Sequence, residues 1–370
     1  EVASRLQRGL RETDSIGRLG GDEFALVLPG VDVKYIASTA EKINRLFEQP
    51  IIIEETSLEI EAAIGIALYP DHGDEGAMLF RHADIAMRVA KAESRVFSLY
   101  SPEEDPFSLQ RLKHYGELRQ AISEKTLALY FQPKINIARN HVLSVEALAR
   151  WPHPADGMIC PGDFIPMIEQ TGMIRPFTHW VLEQAIRQCK DWANAGIDLV
   201  VAVNLSTRNL LDPGLPAMIT ELLSRYQVDA DRLMLEITES AVMSRPEIAL
   251  KVLSRLQGVG LKLSIDDFGT GYSSLAYLKK LPVDELKIDY SFIIGLCTND
   301  NDAIIVRSTI DLAHNLGLHV VAEGVENQDI LDMLEILGCD TAQGFHIGHP
   351  MPAQDLEAWL TSSSWEYTRI

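Results

Sequence analysis

No stretch of this 370-residue sequence approaches the roughly 18 consecutive apolar residues that a membrane-spanning helix needs, and none has the layout of a signal peptide. Cysteine is scarce. Cys160, Cys189, Cys297 and Cys339 are scattered with no metal-ligand spacing, and they read as reduced core residues of a cytoplasmic protein. Positive charge is in short supply too: 33 Lys+Arg stand against 53 Asp+Glu, a formal charge of −20. That balance argues against holding a nucleic-acid polymer by counterion release, though not against a small phosphate ligand held through metals. The chain opens on Glu1 rather than Met, as an excised piece does, so a membrane anchor or sensor upstream of residue 1 stays open. What is there is length enough for two domains and a large core.

The most informative stretch is Leu263-Ser264-Ile265-Asp266-Asp267-Phe268-Gly269-Thr270-Gly271-Tyr272-Ser273-Ser274-Leu275. It begins as an apolar strand, reaches two adjacent carboxylates and turns into a glycine-rich loop. In a continuing strand Asp266 and Asp267 would point to opposite faces. If the strand ends there, Gly269 and Gly271 free the backbone to turn and both carboxylates converge on one site. Two carboxylates that close repel, and they share a proton unless a cation sits between them. On this stretch alone a divalent metal site and a capped turn are both open, since Asp and Gly are the commonest turn residues.

The rest of the chain decides between them. Apolar runs alternate with helix-like segments, and each run reaches a polar residue: Leu127–Phe131 then Gln132, Val142–Val145 then Glu146, Leu199–Val203 then Asn204, Leu233–Leu235 then Glu236. Leu261–Ile265 reaches Asp266, Glu285-Leu286 reaches Lys287, Leu318–Ala322 reaches Glu323, and the last run ends near Gln343. Such a series predicts an α/β chain with eight strands in a (β/α)8 barrel of the TIM type, whose function collects at the strand ends. Any one of these residues reads most simply as a helix cap. For Glu146, Asn204, Glu236, Asp266 and Asp267 together that reading fails, because acids placed so regularly after apolar runs would otherwise repel one another.

The same residues carry a family resemblance across nearly all of 108–365. Glu146-Ala147-Leu148-Ala149-Arg150-Trp151 resembles the EAL signature of cyclic di-GMP phosphodiesterases. Asn204-Leu205-Ser206, Leu235 to Glu239, the Asp266 to Gly271 loop, Leu286 to Asp289, Ala322 to Glu326 and Gln343-Gly344 match the family's remaining motifs in order. The resemblance implies hydrolysis of cyclic di-GMP to linear pGpG, with two Mg2+ or Mn2+ ions held by Glu146, Asn204, Glu236, Asp266, Asp267 and Glu323 and with Asp266 bridging them. All-oxygen ligation suits hard cations that keep some of their water. The resemblance gives catalytic roles to Glu323, Lys287, Glu146 and Asp266, and substrate contacts to Gln132, Leu148, Arg150, Asp289, Glu326 and Gln343. Glu323 fits either ligand or general base, Glu239 braces the 268–275 loop from behind, and the family pairs into homodimers through helices beside that loop. One departure is Phe345-His346-Ile347-Gly348-His349-Pro350, where the family carries Lys or Arg before the proline; the two histidines read as rim residues.

Residues 1–100 carry a second resemblance. Two apolar runs flank Gly20-Gly21-Asp22-Glu23-Phe24, which reads as a hairpin tip and resembles the GGDEF signature of diguanylate cyclases. Asp22 and Glu23 are then the signature carboxylates, and Arg11 and Asp14 stand where that family binds cyclic di-GMP as an inhibitor. Ala83 to Met87, Lys91 and Arg95 resemble its late phosphate-contacting motif, although Glu93-Ser94-Arg95-Val96 replaces the usual Gly-Arg-Asn. Only 19 residues precede Gly20, too few for the strand–helix–strand block that supplies another metal aspartate and the guanine pocket. An incomplete α/β GGDEF domain without cyclase activity of its own is expected at 1–100, a linker at 101–107 and the EAL barrel at 108–370. Two other readings follow from the same motifs: a non-catalytic cyclic di-GMP receptor, and a bifunctional cyclase and phosphodiesterase in the longer parent. The complete ligand set together with Lys287, Glu323 and Glu239 speaks for turnover over the receptor.

Overall fold

The computed structural model describes residues 1–370 except 22, 48, 54, 55, 59, 61, 93, 94, 103, 104, 106–108, 170, 271–274, 369 and 370. The chain divides into two units, Glu1–Glu117 and Leu118–Ile370.

In the larger unit eight strands form a closed ring: β1 (Ala128–Asn136), β2 (His141–His153), β3 (Val200–Leu205), β4 (Leu233–Thr238), β5 (Lys262–Phe268), β6 (Glu285–Ile288), β7 (His319–Ala322) and β8 (Thr341–Gln343). From β2 round to β8 all neighbours are parallel, as helical crossovers dictate. β1 is the exception and runs antiparallel to both β2 and β8. The cause is local. Only residues 137–140 separate β1 from β2, with Asn140 at φ 53, and so short a connection makes a hairpin rather than a crossover. The eight-strand barrel expected from the sequence is present, with its first strand reversed. A consequence is that Gln132 and Glu146 stand opposite each other in mid-strand and not at strand ends, because the hairpin extends both strands past the apolar runs that mark them.

The ends of this unit are fastened to its beginning. Phe131 of β1 exchanges backbone hydrogen bonds with Met351, at 2.7 and 3.1 Å, and Glu366–Tyr367 adds a short parallel strand to β2. Amphipathic helices cover the outside. α1 (Ile174–Asn194) buries Phe177, Trp180, Val181, Ile186 and Trp192 on one face, and α2 (Leu215–Tyr226) and α3 (Pro246–Val259) bury Ile219, Leu222, Leu253 and Leu256. Each such apolar side chain contributes about 1.5–3 kcal/mol by leaving water. The barrel interior departs from the branched apolar filling usual for this architecture: Lys134, Glu236, Ser264, Glu285 and Lys287 are all buried there.

In the smaller unit the expected hairpin is present, Ser15–Gly20 pairing antiparallel with Glu23–Val27. Gly21 takes φ 52, and Arg18 donates two hydrogen bonds to its carbonyl, at 3.1 and 2.6 Å, closing the tip. A helix follows over Ile36–Asn44, and a short strand over Ile64–Ile66. That strand pairs with Phe97–Leu99, while Ile51–Ile53 pairs with Thr56–Leu58. Among the described residues these pairs remain three separate two-stranded sheets. The apolar core is correspondingly small: Leu6, Ile43 and Phe47 gather the hairpin's Ile16, Phe24 and Leu26, and a second cluster holds Ile85, Ala86 and Tyr100.

Candidate active site

Three strand ends share one local pattern. Ser206, Thr238 and Asp289 each accept a backbone N–H of the helix that follows, so each is a helix cap. Two residues earlier stand Asn204, Glu236 and Lys287. Strand alternation puts these on the same side of the chain as the cap, one step deeper into the barrel. The capped turn and the functional side chain, rivals on the sequence alone, occur together at consecutive same-side positions.

At β5 a different device operates. The strand continues through both acids to Phe268, yet Asp267 adopts φ 55 and the register with β6 slips between Ile265 and Phe268. This bulge, rather than the strand end expected from Gly269 and Gly271, turns the second carboxylate toward the first. Asp tolerates the left-handed conformation better than most residues. The Asp267 N–H donates to Asp266 Oδ1 at 2.9 Å. Carboxylate oxygens of Asp266, Asp267 and Glu323 then lie within 4.8 Å of one another, a set able to hold a metal ion.

Lys287 is the centre of the site. Its ammonium is fully buried and lies 3.0 Å from Asp266 Oδ2, 3.0 Å from Glu236 Oε2, 2.6 Å from Glu323 Oε1 and 4.0 Å from Glu146 Oε2. Burial alone would favour the neutral amine, but Glu146, Glu236, Glu323 and Asp266 hold its pKa well above the ordinary lysine value. The carboxylates divide. Glu236 would be raised by burial, but Lys134 and Lys287 bring it down to about 2. Desolvation pushes the half-buried Glu323 up to about 8, with Asp266 and Glu146 adding to the rise and Lys287 opposing it. Asp267 is pushed up to about 6 by burial and then by Asp266 and Asp289, and burial also raises Glu146. These shifts describe more negative charge than the lysines neutralise. The donors are carboxylates and an amide at one barrel mouth, which fits a hard divalent cation.

The remaining expected residues are spread over both units. Glu146 is held by amides: Asn204 Nδ2 donates to Oε1 and Gln343 Nε2 to Oε2, both at 2.6 Å, and Gln343 also reaches Gln132 Oε1 at 3.1 Å. Gln343 owes its position to Gly344, where any Cβ would collide with the Val325 backbone. Arg150 and Leu148 are half-buried on β2, with the Arg150 guanidinium 5.6 Å from the Tyr130 ring centre, and Glu326 is exposed. Asp289 accepts the N–H of Ser291 at 3.0 Å and also its hydroxyl. Glu239 is buried and accepts the Gly269 N–H at 3.5 Å; loop residues 271–274 lie outside the described residues. In the smaller unit Arg11 and Asp14 form a turn, the Arg11 N–H donating to Asp14 Oδ2 at 2.8 Å, and Glu23 is exposed. Asp22 and the Glu93-Ser94 pair lie outside the described residues. His346 bonds Gln328 Oε1 at 3.1 Å, and His349 stacks on Phe345.

One residue was missed. Lys134, from β1, ion-pairs with Glu236 Oε1 inside the barrel. Its signal was available: a lysine two residues after Gln132 in an otherwise apolar strand faces the same way as Gln132.

Among the described residues no helix is long and apolar enough to cross a membrane. A profile of the EAL domain matches residues 116–350, and one described as diguanylate cyclase, GGDEF domain, matches residues 1–96. The bifunctional diguanylate cyclase/cyclic di-GMP phosphodiesterase MucR of Pseudomonas aeruginosa is 41% identical over 97% of this chain and 53% of its own length. The cyclic di-GMP phosphodiesterase PdeR of Escherichia coli is 35% identical over 97% of this chain and 54% of its own. The chain therefore spans about half the length of these curated relatives. A solved structure of the PaMucR phosphodiesterase in complex with c-di-GMP is 44% identical, with a TM-score of 0.64, and covers 66% of this chain and 99% of that one. The barrel with its acid-ringed lysine lies in the matched region, and the chain belongs to the EAL-domain family, with a partial GGDEF domain ahead of the barrel.

Proposed function

We propose that this chain hydrolyses cyclic di-GMP to linear pGpG. The observation that carries the reading is the buried Lys287 ammonium set among Asp266, Glu236 and Glu323 at 3.0, 3.0 and 2.6 Å, beside the unneutralised Asp267. The relatives named for cyclic di-GMP hydrolysis supply the substrate class.

Glu146, Asn204, Glu236, Asp266, Asp267 and Glu323 would hold two Mg2+ or Mn2+ ions, which when bound lower the pKa of water and polarise the phosphate. Water attacks phosphorus in line with the 3′ oxygen, so one P–O bond forms as the P–O3′ bond breaks. Glu323 serves either as a ligand or as the base that takes the proton of the attacking water. Lys287 stabilises charge that develops on the phosphoryl oxygens, and its burial makes that charge count for more than it would in water. Arg150 on β2 would be a phosphate donor, with Leu148, Asp289 and Glu326 completing the substrate's surroundings. Gln343 donates to both Glu146 and Gln132, and the two glutamines would contact substrate. Residues 1–100 are assigned a partial GGDEF domain without cyclase activity in this chain, and a linker at 101–107 ahead of an EAL domain taken from 108 belongs to the same proposal, although the compact barrel unit itself starts at Leu118. A homodimer through the EAL domain belongs to the same proposal, checked by sedimentation equilibrium at assay concentration.

The test is hydrolysis by the purified chain with Mg2+ or Mn2+, then with EDTA, beside Asp266→Asn. Metal-dependent pGpG that disappears in the variant supports the reading. Tight binding of cyclic di-GMP without turnover makes the chain a receptor instead.

A further inference from the structure

Lys134 is unusual in its surroundings. An ammonium fully buried in a barrel interior is expensive to desolvate, and an apolar residue of the same volume often serves the fold as well or better. Here it reaches from β1 across the interior to Glu236 on β4, three strands away round the ring, and takes Oε1, while Lys287 from β6 takes Oε2 of the same carboxylate at 3.0 Å. Glu285, buried on the same face of β6 as Lys287, adds its negative field to Lys134 from below. The charges are linked in alternation: Glu285 acts on Lys134, Lys134 pairs with Glu236, Glu236 with Lys287, and Lys287 with Asp266 and Glu323.

This order has a mechanical consequence. Lys287 has three hydrogens and three close acidic partners, Glu236, Asp266 and Glu323. Glu236 is the most deeply buried of the three and would draw Lys287 to both of its oxygens if nothing else satisfied it. With Oε1 taken by Lys134, only Oε2 is left for Lys287, whose other hydrogens point up to Asp266 and Glu323.

We propose that Lys134 is a positioning residue for catalysis: by occupying Glu236 Oε1 it keeps the Lys287 ammonium raised to the barrel mouth, between Asp266 and Glu323. The kinetic part of this proposal rests on the phosphodiesterase reading above. The alternative is a buried ion pair that serves the fold alone.

The experiment compares Lys134→Met and Lys134→Arg with wild type in four measurements: kcat and KM for cyclic di-GMP, Mn2+ affinity by calorimetry, metal-free melting temperature, and the metal-free crystal structure. In Lys134→Met the expected kcat falls at least about tenfold while KM moves less than about twofold, since what is lost is made in the transition state. Mn2+ affinity changes little, because Asp266 and Glu323 are released from Lys287 while Glu236 is held by it on both oxygens. In the crystal structure Lys287 Nζ leaves Glu323 for both oxygens of Glu236, and Lys134→Arg restores part of kcat. A lowered melting temperature with kcat within about twofold of wild type, or a Lys287 Nζ that stays on Glu323, overturns the proposal. Should Lys134→Met not fold, Lys134→Gln carries the same comparison. If wild type itself shows no turnover, the phosphodiesterase reading fails, and the crystal structure and Mn2+ affinity still decide the role of Lys134.

Discussion

Asp266 and Asp267 are adjacent in sequence, yet their carboxylates serve one site because Asp267 alone bends into the left-handed region, at φ 55, and donates its N–H to Asp266 at 2.9 Å. Backbone and side chain at this position therefore do separate jobs. Asp267→Asn, which also tolerates that conformation, should leave the melting temperature nearly unchanged while weakening Mn2+ binding by about tenfold or more. Asp267→Ala loses the ligand and strains the bulge, adding a destabilisation of about 1 kcal/mol. Calorimetric titration and thermal melts on both variants check the separation; equal melting temperatures for Asn and Ala would count against it.

Lys287→Met removes the ammonium that Glu236, Asp266 and Glu323 share. Breaking a buried pair from one side costs about 3–5 kcal/mol, so the metal-free variant should melt far below wild type. Added Mn2+ should recover part of that loss by supplying positive charge to the same acids, while turnover stays absent. Melting curves with and without Mn2+ measure this.

Metal affinity should depend on pH in a stated direction. Glu323 pushed up to about 8 and Asp267 pushed up to about 6 hold protons that a cation must displace. Mn2+ binding is therefore expected to tighten as pH rises from 5.5 to 8.5 and to level off above that. The metal-free fold goes the other way. A carboxyl raised in the folded state binds more protons than the unfolded chain does, so stability falls as pH climbs from the ordinary carboxylate range toward 8. The thermal shift produced by saturating Mn2+ should accordingly be larger at pH 8.5 than at pH 6; a shift independent of pH would remove the basis for this prediction.

Glu239 accepts the N–H of Gly269, next to the acids of β5. Glu239→Gln keeps the shape and loses the charge, and is expected to weaken Mn2+ binding about tenfold with little change in melting temperature. Calorimetry on the variant, at a pH where wild type is saturated, decides it.

Much of this was legible before any coordinates. Strand count and the polar residues from Asn204 to Gln343 follow from near-continuous apolar runs separated by helix-length segments, because burial on both faces of a parallel strand leaves a plain signal. The reversed β1 was not read, although the four residues between it and β2 are too few for a crossover; the apolar run ending at Phe131 drew attention away from the turn at 137–140. The bulge at Asp267 could not be read, since a left-handed Asp and an extended one have the same sequence. Lys134 shares a face with Gln132, so it was legible once Gln132 was placed inside the barrel.

The clasp between Phe131 and Met351 sets a rule for how this protein is made. β1 leaves the ribosome early and keeps an unpaired edge until β8 and Met351 arrive more than 200 residues later, by which time Asp266, Lys287 and Glu323 are already in the chain. Gln343, the amide that steadies Glu146, comes with the same late segment. A chain stopped near residue 340 would hold nearly all of the acids and none of the closure. The product of a late premature stop is thus an aggregation-prone open sheet rather than a weak enzyme, and quality control meets it as an exposed edge, not as a slow catalyst.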